Sequence, residues 1–462
     1  MPQRKVSVIN HYAFPPGSGG ITRNFDMFSR LRGWQPHFYA ANINHTSGER
    51  MTVDDPRYTL VPIPEYKGNG VKRVLGWVAF AAGAGARALV RPADVIFASS
   101  PQILSPAVGM VVAALRRKPF VVEVRDLWPE SLVSGGALKE GSALHKVLQG
   151  LEKTIYAHAR QIVVVTKGWE DHFRELGINV DKVTVVPNGA DLAEYEVKES
   201  REELRKEYGI SGFTAVFSGT HANYVGLDLI VDAARRLPDV NFLLVGAGAR
   251  KQWAIDEVAK LRLTNVTFHD QVPKSELVRI LSACDVGLHT VSPQSVFDKG
   301  MSPNKLYDYM AAGLAVVSNA KVPIRDVISD DEVGACVDST DLVAGIERVR
   351  DADEATMKRW HERARELMAN KYSLQASVDK LARVLEKALY RRARVSSAEQ
   401  HRRQGWNRDN KRCKHHSPQI TSMPARLQRI GPAGRRRESA GIHRSAKDFR
   451  GPHGIQHHRE GH

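Results

Sequence analysis

The chain has 462 residues, 42% of them apolar and 26% charged, with a formal net charge of +16. That length exceeds one ordinary core and points to two domains. The three cysteines, Cys284, Cys336 and Cys413, have no paired spacing, which argues against a disulfide framework or a cysteine zinc site. The positive charge is local: residues 391–462 hold 18 Lys/Arg against 5 Asp/Glu, and residues 1–390 hold 49 against 46.

Taken in order, the first strand signal is "KVSVIN", so close to the N-terminus that no signal peptide is expected. The loop "HYAFPPGSGG" follows, then a helix "ITRNFDMFSRLRG" and the strands "PHFYAAN" and "YTLVPIP". The apolar run "VLGWVAFAAGAGA", flanked by Lys72, Arg73, Arg87 and Arg91, is too short to span a bilayer. It suits a packed helix or a membrane-surface helix, the packed helix being favoured. "DVIFASS", a helix from about Pro106, "PFVVEV", a helix in 142–158, "QIVVVTKG" and "KVTVVPNGAD" complete the first half. The pattern restarts near Phe213 with "FTAVFSGTH", "VNFLLVGAGA", "VTFHD", "DVGLHT" and "LAVVSN", again separated by helical segments. Strands alternating with helices of this length predict α/β architecture with parallel sheets, in two tandem Rossmann-like domains, 1–190 and 191–371. Residues 391–462 form a basic low-complexity tail that reads as disordered. Such a tail suits an anionic polymer or membrane, but it interleaves few aromatics and has no recognition module, so no specific nucleic-acid partner is expected.

Ligands of open α/β sheets lie beyond the carboxyl ends of the strands, which selects five loops. Gly19 and Gly20 close the first strand–helix loop, whose glycines let backbone approach an anion at a helix N-terminus. The loop lacks the third glycine of a dinucleotide fingerprint. "VVEVRDLWPES" places Arg125, Asp126, Trp128 and Glu130 past a buried strand, where a surface ion pair is the plain alternative. Gly219, Gly246 and Gly248 sit in strand exits that are either tight turns or a cradle for a nucleotide diphosphate. In "SPNKLYDYMAAG", Ser302, Pro303 and Asn304 lead into a helix that carries Lys305 and Asp308 on one face. A lysine there meets phosphate and a carboxylate one turn on accepts ribose hydroxyls, against the alternative of an intrahelical ion pair. The DxD at Asp351–Asp353 precedes a long helix and reads as a cap, and HExxH, GxSxG and P-loop motifs are missing, so neither a metal nor another cofactor is expected.

With these loops placed, the body resembles retaining glycosyltransferases of family 4, the group 1 glycosyltransferases. The resemblance rests on "VVPNGAD", "FSGT", "GLDLIVDAA", "LLVGAG", "ACDVGL" and "SPNKLYDYMAAGLAVVSN" in that order. It implies the GT-B fold, with an N-terminal acceptor domain, a C-terminal donor domain, and final helices at 372–390 returning to the first domain. "VRDLWPES" and "PNKLYDYMAAG" are similar to the subgroup that builds bacterial O-antigen, capsule or colanic acid, including N-acetyl-L-fucosamine transferases. The resemblance implies a UDP- or GDP-sugar donor, possession of a polyprenyl-diphosphate-linked or oligosaccharide acceptor, and a cytoplasmic location with peripheral contact at the inner face of the membrane. It places Asp308 on the ribose, Lys305 at the phosphates, and Arg125, Asp126, Asp298 and Lys305 at the reacting centre. His11, Trp128 and Glu130 fall on the acceptor side. The first acid of the family's E-x7-E motif falls on Gly300, with Asp298 nearby. The usual phosphate-holding Arg and Lys fall on Thr220 and Val225, which leaves His221 and Lys305 to carry charge; the family histidine falls on Arg125. A non-hydrolysing UDP-sugar 2-epimerase and a binding protein acting through its basic tail are the competing readings.

Overall fold

The computed structural model describes residues 3–15, 22–44, 48–66, 70–292, 298–321, 323–329, 332–337 and 341–390. Gly19, Gly20 and the basic tail lie outside the described residues.

Two parallel sheets follow one another along the chain. The first contains β1 (Arg4–Ile9), β2 (Trp34–Ala41), β3 (Tyr58–Val61), β4 (Val95–Ser99), β5 (Phe120–Val124), β6 (Gln161–Val164) and β7 (Val183–Val185), in the order β3-β2-β1-β4-β5-β6-β7. The second contains β8 (Thr214–Ser218), β9 (Asn241–Val245), β10 (Val266–His269), β11 (Val286–His289), β12 (Ala315–Ser318) and β13 (Gly334–Cys336), in the order β10-β9-β8-β11-β12-β13. Central strands such as β4, β5, β8 and β12 are buried at every position, as strands covered by helices on both faces must be. Their near-continuous Val, Ile, Phe and Ala runs follow from that. In each sheet the winding reverses once, between β1 and β4 and between β8 and β11, and such a reversal opens a crevice at the strands' carboxyl ends.

The helix at residues 374–390 contributes Val378, Leu381, Val384 and Leu385 to a core shared with Val6, Phe28, Phe38 and Phe97 of the first sheet's layer. It therefore lies on the first domain although it follows the second in sequence. Its return path runs beside the connection between the sheets: Leu374 N donates to Ala190 O at 3.0 Å. A Cβ on Gly189 would stand 2.3 Å from Tyr372 O, so only glycine lets these two crossing backbones meet.

Helix Val71–Val90 packs one stripe, Gly76, Phe80, Ala84 and Ala88, against the first sheet. By length and composition it could cross a bilayer, yet both its ends return to strands of the same sheet. The packed-helix reading describes only half of it, because the outward stripe is apolar as well.

Candidate active site

A cleft of about 700 Å³ lies where the carboxyl ends of both sheets converge. From the first domain Arg125, Asp126, Leu127 and Ser131 line it; from the second, Gly219, Thr220, Tyr224, the segment Gly300–Lys305 and Asp308. A cavity of similar size, about 710 Å³, is bordered by Ala311, Gly313 and Leu314. Those residues immediately precede β12, so it sits at the amino end of that strand, away from where such sheets bind ligands.

Lys305 belongs to the first turn of helix Asn304–Ala311, which Pro303 introduces in extended backbone. The motif here is local: Pro sets the entry, and buried Leu306, Tyr309 and Met310 fix the helix on the sheet. The Lys305 ammonium lies 3.6 Å from the centroid of the Phe217 ring. A Cβ on Gly219 would be 3.5 Å from Lys305 Cε, so the glycine loop and the lysine share one small space. Burial pulls the ammonium down to about 7, with Asp308 opposing the shift.

The intrahelical pair considered from the sequence does not form. Asp308 Oδ1 instead accepts from Tyr195 Oη and from Lys274 Nζ, both at 2.6 Å, while Lys274 also lies over the Tyr195 ring. Asp308 thus has Oδ1 committed and Oδ2 outside these bonds. Neither Tyr195 nor Lys274 carried a local signal, because they lie 113 and 34 residues from Asp308.

Across the cleft, Arg125 follows β5, with its backbone N–H donating to Ser100 Oγ at 2.7 Å. Among the described residues its Nε and Nη1 are buried without a hydrogen-bond partner. Burial lowers its pKa and Glu123 opposes that, yet a guanidinium stays charged. Glu123 bonds other groups: Oε1 accepts from Arg23 at 3.0 Å, and Oε2 accepts from Asn24 at 2.9 Å and Ser99 at 2.6 Å. Desolvation raises the pKa of neighbouring Asp126, with Arg125 pulling it the other way.

Arg23 is a residue that motif reading missed. It donates to Glu123, to Val186 O at 2.7 Å, to Pro187 O at 2.9 Å and to Asn188 Oδ1 at 3.0 Å. Asn188 in turn donates from its backbone to Ser302 Oγ at 2.9 Å and from its side chain to Ser302 O at 2.6 Å. The floor of the first domain is thereby tied to the start of the Lys305 helix. An arginine just after the first glycine loop was the available clue.

Several expected site residues stand elsewhere. Asp298 does not line the cleft; it is half exposed and pairs with Lys321 at 2.7 Å. The cause is next to it, where the two domains touch backbone to backbone: a Cβ on Gly168 would stand 2.2 Å from Lys299 O, and Trp169 Nε1 donates to Gly300 O at 3.1 Å. A side chain at 300 would meet Pro323, Thr166 and Gly168, so the position of the family acid is a contact between domains. His221 is fully buried and burial takes its pKa to about 4, aided by Lys251 and Lys305, so it brings no charge to the cleft at neutral pH. Gly246 and Gly248 allow β8 and β9 to continue as paired backbone: Gly219 N donates to Val245 O and His221 N to Ala247 O, each at 2.9 Å, and a Cβ on either glycine would strike the partner chain. They shape the cleft edge without lining it. His11 is core, packed on Phe80 at 4.8 Å. Glu130 accepts from Gln149 at 3.2 Å, and Trp128 meets Trp77 edge to face at 5.5 Å, both outside the cleft lining. Asp353 caps its helix, its side chain accepting from Thr356 N at 2.7 Å.

Two Rossmann-like parallel-sheet domains facing a shared polar cleft define a GT-B type glycosyltransferase. Residues 29–189 match the family model described as a glycosyl transferase 4-like domain, and residues 200–367 match glycosyl transferases group 1. The chain belongs to this group 1 glycosyltransferase family. It is 26% identical over 306 residues to the Pseudomonas aeruginosa protein WbjE, designated a probable glycosyltransferase, covering 63% of this chain and 74% of that one. To the Bacillus subtilis protein TuaH, designated a teichuronic acid biosynthesis glycosyltransferase, it is 25% identical over 43% of this chain and 49% of that one. The solved structure of Anabaena HepE in complex with UDP and glucose superposes with a TM-score of 0.62 at 15% identity, over 83% of this chain and 100% of that chain.

Proposed function

We propose that the chain moves a sugar from a nucleoside-diphosphate donor, UDP- or GDP-linked, to a hydroxyl of a lipid-linked or oligosaccharide acceptor in bacterial surface polysaccharide synthesis, with retention of configuration. A cytoplasmic site of action belongs to the same proposal. The observation that carries it is the pair of desolvated cations, Arg125 and Lys305, that two domains bring to one cleft with no carboxylate bonded to either among the described residues. Partly desolvated cations with no bonded carboxylate are costly unless an anion joins them. A diphosphate supplies that anion, and the N-terminus of helix Asn304–Ala311 adds its N–H groups. HepE, whose structure holds UDP and glucose, supports the donor class; the designation of TuaH supports the polysaccharide setting.

In the proposed reaction the bond from the anomeric carbon to the diphosphate oxygen breaks, and its electron pair stays on that oxygen. Arg125 and Lys305 neutralise the developing charge, which is where electrostatic preorganisation acts most strongly. The acceptor hydroxyl forms the new bond on the face the diphosphate leaves, and its proton passes to the departing phosphate. Asp126 orients that hydroxyl, and Asp308 Oδ2 takes a ribose hydroxyl. The two side-chain cations do the neutralising, so the proposed reaction needs no metal ion, and activity is expected to persist in EDTA.

A thermal-shift and hydrolysis screen of the full chain against UDP- and GDP-sugars tests this reading. Stabilisation by one nucleoside diphosphate with slow release of its sugar is expected. An epimerised donor in the absence of acceptor, or no nucleotide response at all, would overturn it.

A further inference from the structure

One face of the first sheet is covered by helices Val71–Val90, Leu104–Leu115 and Ala143–His158, packed side by side. A helix covering a sheet ordinarily buries one stripe and gives charged residues to water. Helix Val71–Val90 departs from this. Opposite its buried stripe, Val71 is 77% exposed, Leu75 54% and Val78 52%, with Val74 beside them. Leu144 and Val147, 58% and 65% exposed, add to the same layer from the start of helix Ala143–His158. In a βαβ layer the helix starts lie at the carboxyl ends of the strands, which is the cleft end.

Charge is as one-sided as the apolar stripe. Helix Val71–Val90 has no acidic residue, and from Val71 to Lys118 there are seven Lys/Arg against one acid, Asp94. Asp94 is itself held by Lys118, at 3.9 Å, and by the backbone N–H of Lys5. Half-buried Trp77 sits at the margin, with Arg73 over its ring at 5.4 Å and its Nε1 donating to Tyr12 Oη at 3.0 Å. Through the 5.5 Å contact with Trp128, this margin reaches to within two residues of Asp126 at the cleft.

We propose that the outward face of helix Val71–Val90, extended by Leu144 and Val147, docks on an anionic lipid bilayer and holds the acceptor side of the cleft at the membrane surface. An apolar stripe on a helix that carries cations and no acid, with a tryptophan at its edge, matches the acyl boundary and the anionic headgroups together. A second copy of the chain is a poorer occupant, because a two-fold contact would set the same cations against one another. Docking does not depend on the donor reading; only its consequence, that the acceptor is lipid-borne, rests on it.

The test is co-sedimentation of the full chain with vesicles of phosphatidylglycerol and phosphatidylcholine in about equal parts, and with phosphatidylcholine alone. Binding to the anionic vesicles is expected, weakened roughly tenfold or more on pure phosphatidylcholine and again in the double variant Leu75→Asp/Val78→Asp. The variant's unchanged thermal melt and nucleotide response show that it folds and that the donor site stands apart. If the double variant binds anionic vesicles like the parent, the basic residues 391–462 carry the binding and the proposal fails. It fails equally if the parent ignores vesicles, or if sedimentation velocity shows a dimer that the double variant abolishes while vesicle binding is absent. Vesicle binding without nucleotide response would leave docking standing and remove the donor reading.

Discussion

The two walls of the cleft each present one desolvated cation, and they do so by different physical means. Arg125 is held by a strand end beside a carboxylate bonded to other side chains, and its guanidinium keeps its charge at any accessible pH. Lys305 rides on a helix start beside a glycine loop, and its ammonium, brought to about 7 by burial, is poised to lose or regain its proton. One wall thus offers a permanent charge and the other a charge that a ligand can recruit. A half-buried cation with no carboxylate bonded to it among the described residues is costly, and one on each wall supports the proposed anionic donor.

The comparison breaks most readily at Lys305. Lys305→Ala is expected to lower kcat/KM by about 10²–10³-fold, the scale of losing one preorganised donor to a leaving anion. Steady-state kinetics with the donor found by the screen measures it, and an unchanged rate removes Lys305 from the mechanism. Arg125→Gln is expected to cost about 10–100-fold, with little recovery in Arg125→Lys, because a point charge does not reproduce two directed N–H groups. Full activity in Arg125→Gln would leave the first wall without a role in charge stabilisation.

The pH dependence sharpens the contrast. A bound diphosphate favours the Lys305 ammonium and raises its pKa above the free value of about 7. Binding therefore takes up protons above that pH. Donor affinity is expected to be strongest below it and to weaken by up to about tenfold per pH unit above it, until the raised pKa is reached. Calorimetry in buffers of different ionisation enthalpy reads the uptake, and Lys305→Arg should flatten the profile. A profile that stays steep in Lys305→Arg assigns the proton to another group. Tyr195→Phe removes one of the two bonds on Asp308 Oδ1, and a rise in donor KM of about 2–5-fold is expected from a single hydrogen bond. Asp298→Asn is expected to change kcat/KM by less than about twofold, since it loses only a surface pair with Lys321. A large loss there would return Asp298 to the reacting centre.

Much of the architecture is legible in the amino-acid sequence. Short continuous apolar runs such as "VIFAS" and "AVVS", separated by helices of suitable length, read as parallel strands buried on both faces. The helix at Asn304 was equally legible, because Pro303 and the buried spacing of Leu306, Tyr309 and Met310 act within two turns. What failed were inferences from position alone. His221 follows a strand as a ligand residue would, yet its ring packs on Phe217 at 5.6 Å and burial leaves it neutral. Helix Val71–Val90 reads as apolar from its sequence, but which of its two apolar stripes faces water depends on where the sheet lies.

By itself the sequence determined the order and kind of the secondary elements, the tandem repetition of the sheet unit, and the delivery of Lys305 and Asp308 to the carboxyl ends of the second sheet. Those properties follow from patterns within ten or twenty residues. The tertiary structure alone decided the charge state of Lys305 and His221, the pairing of Asp308 with Tyr195 and Lys274, and the exclusion of Asp298 by backbone contact between Gly168 and Lys299. Desolvation and pairing depend on which distant segments are brought into contact, and that is settled only when the two domains pack.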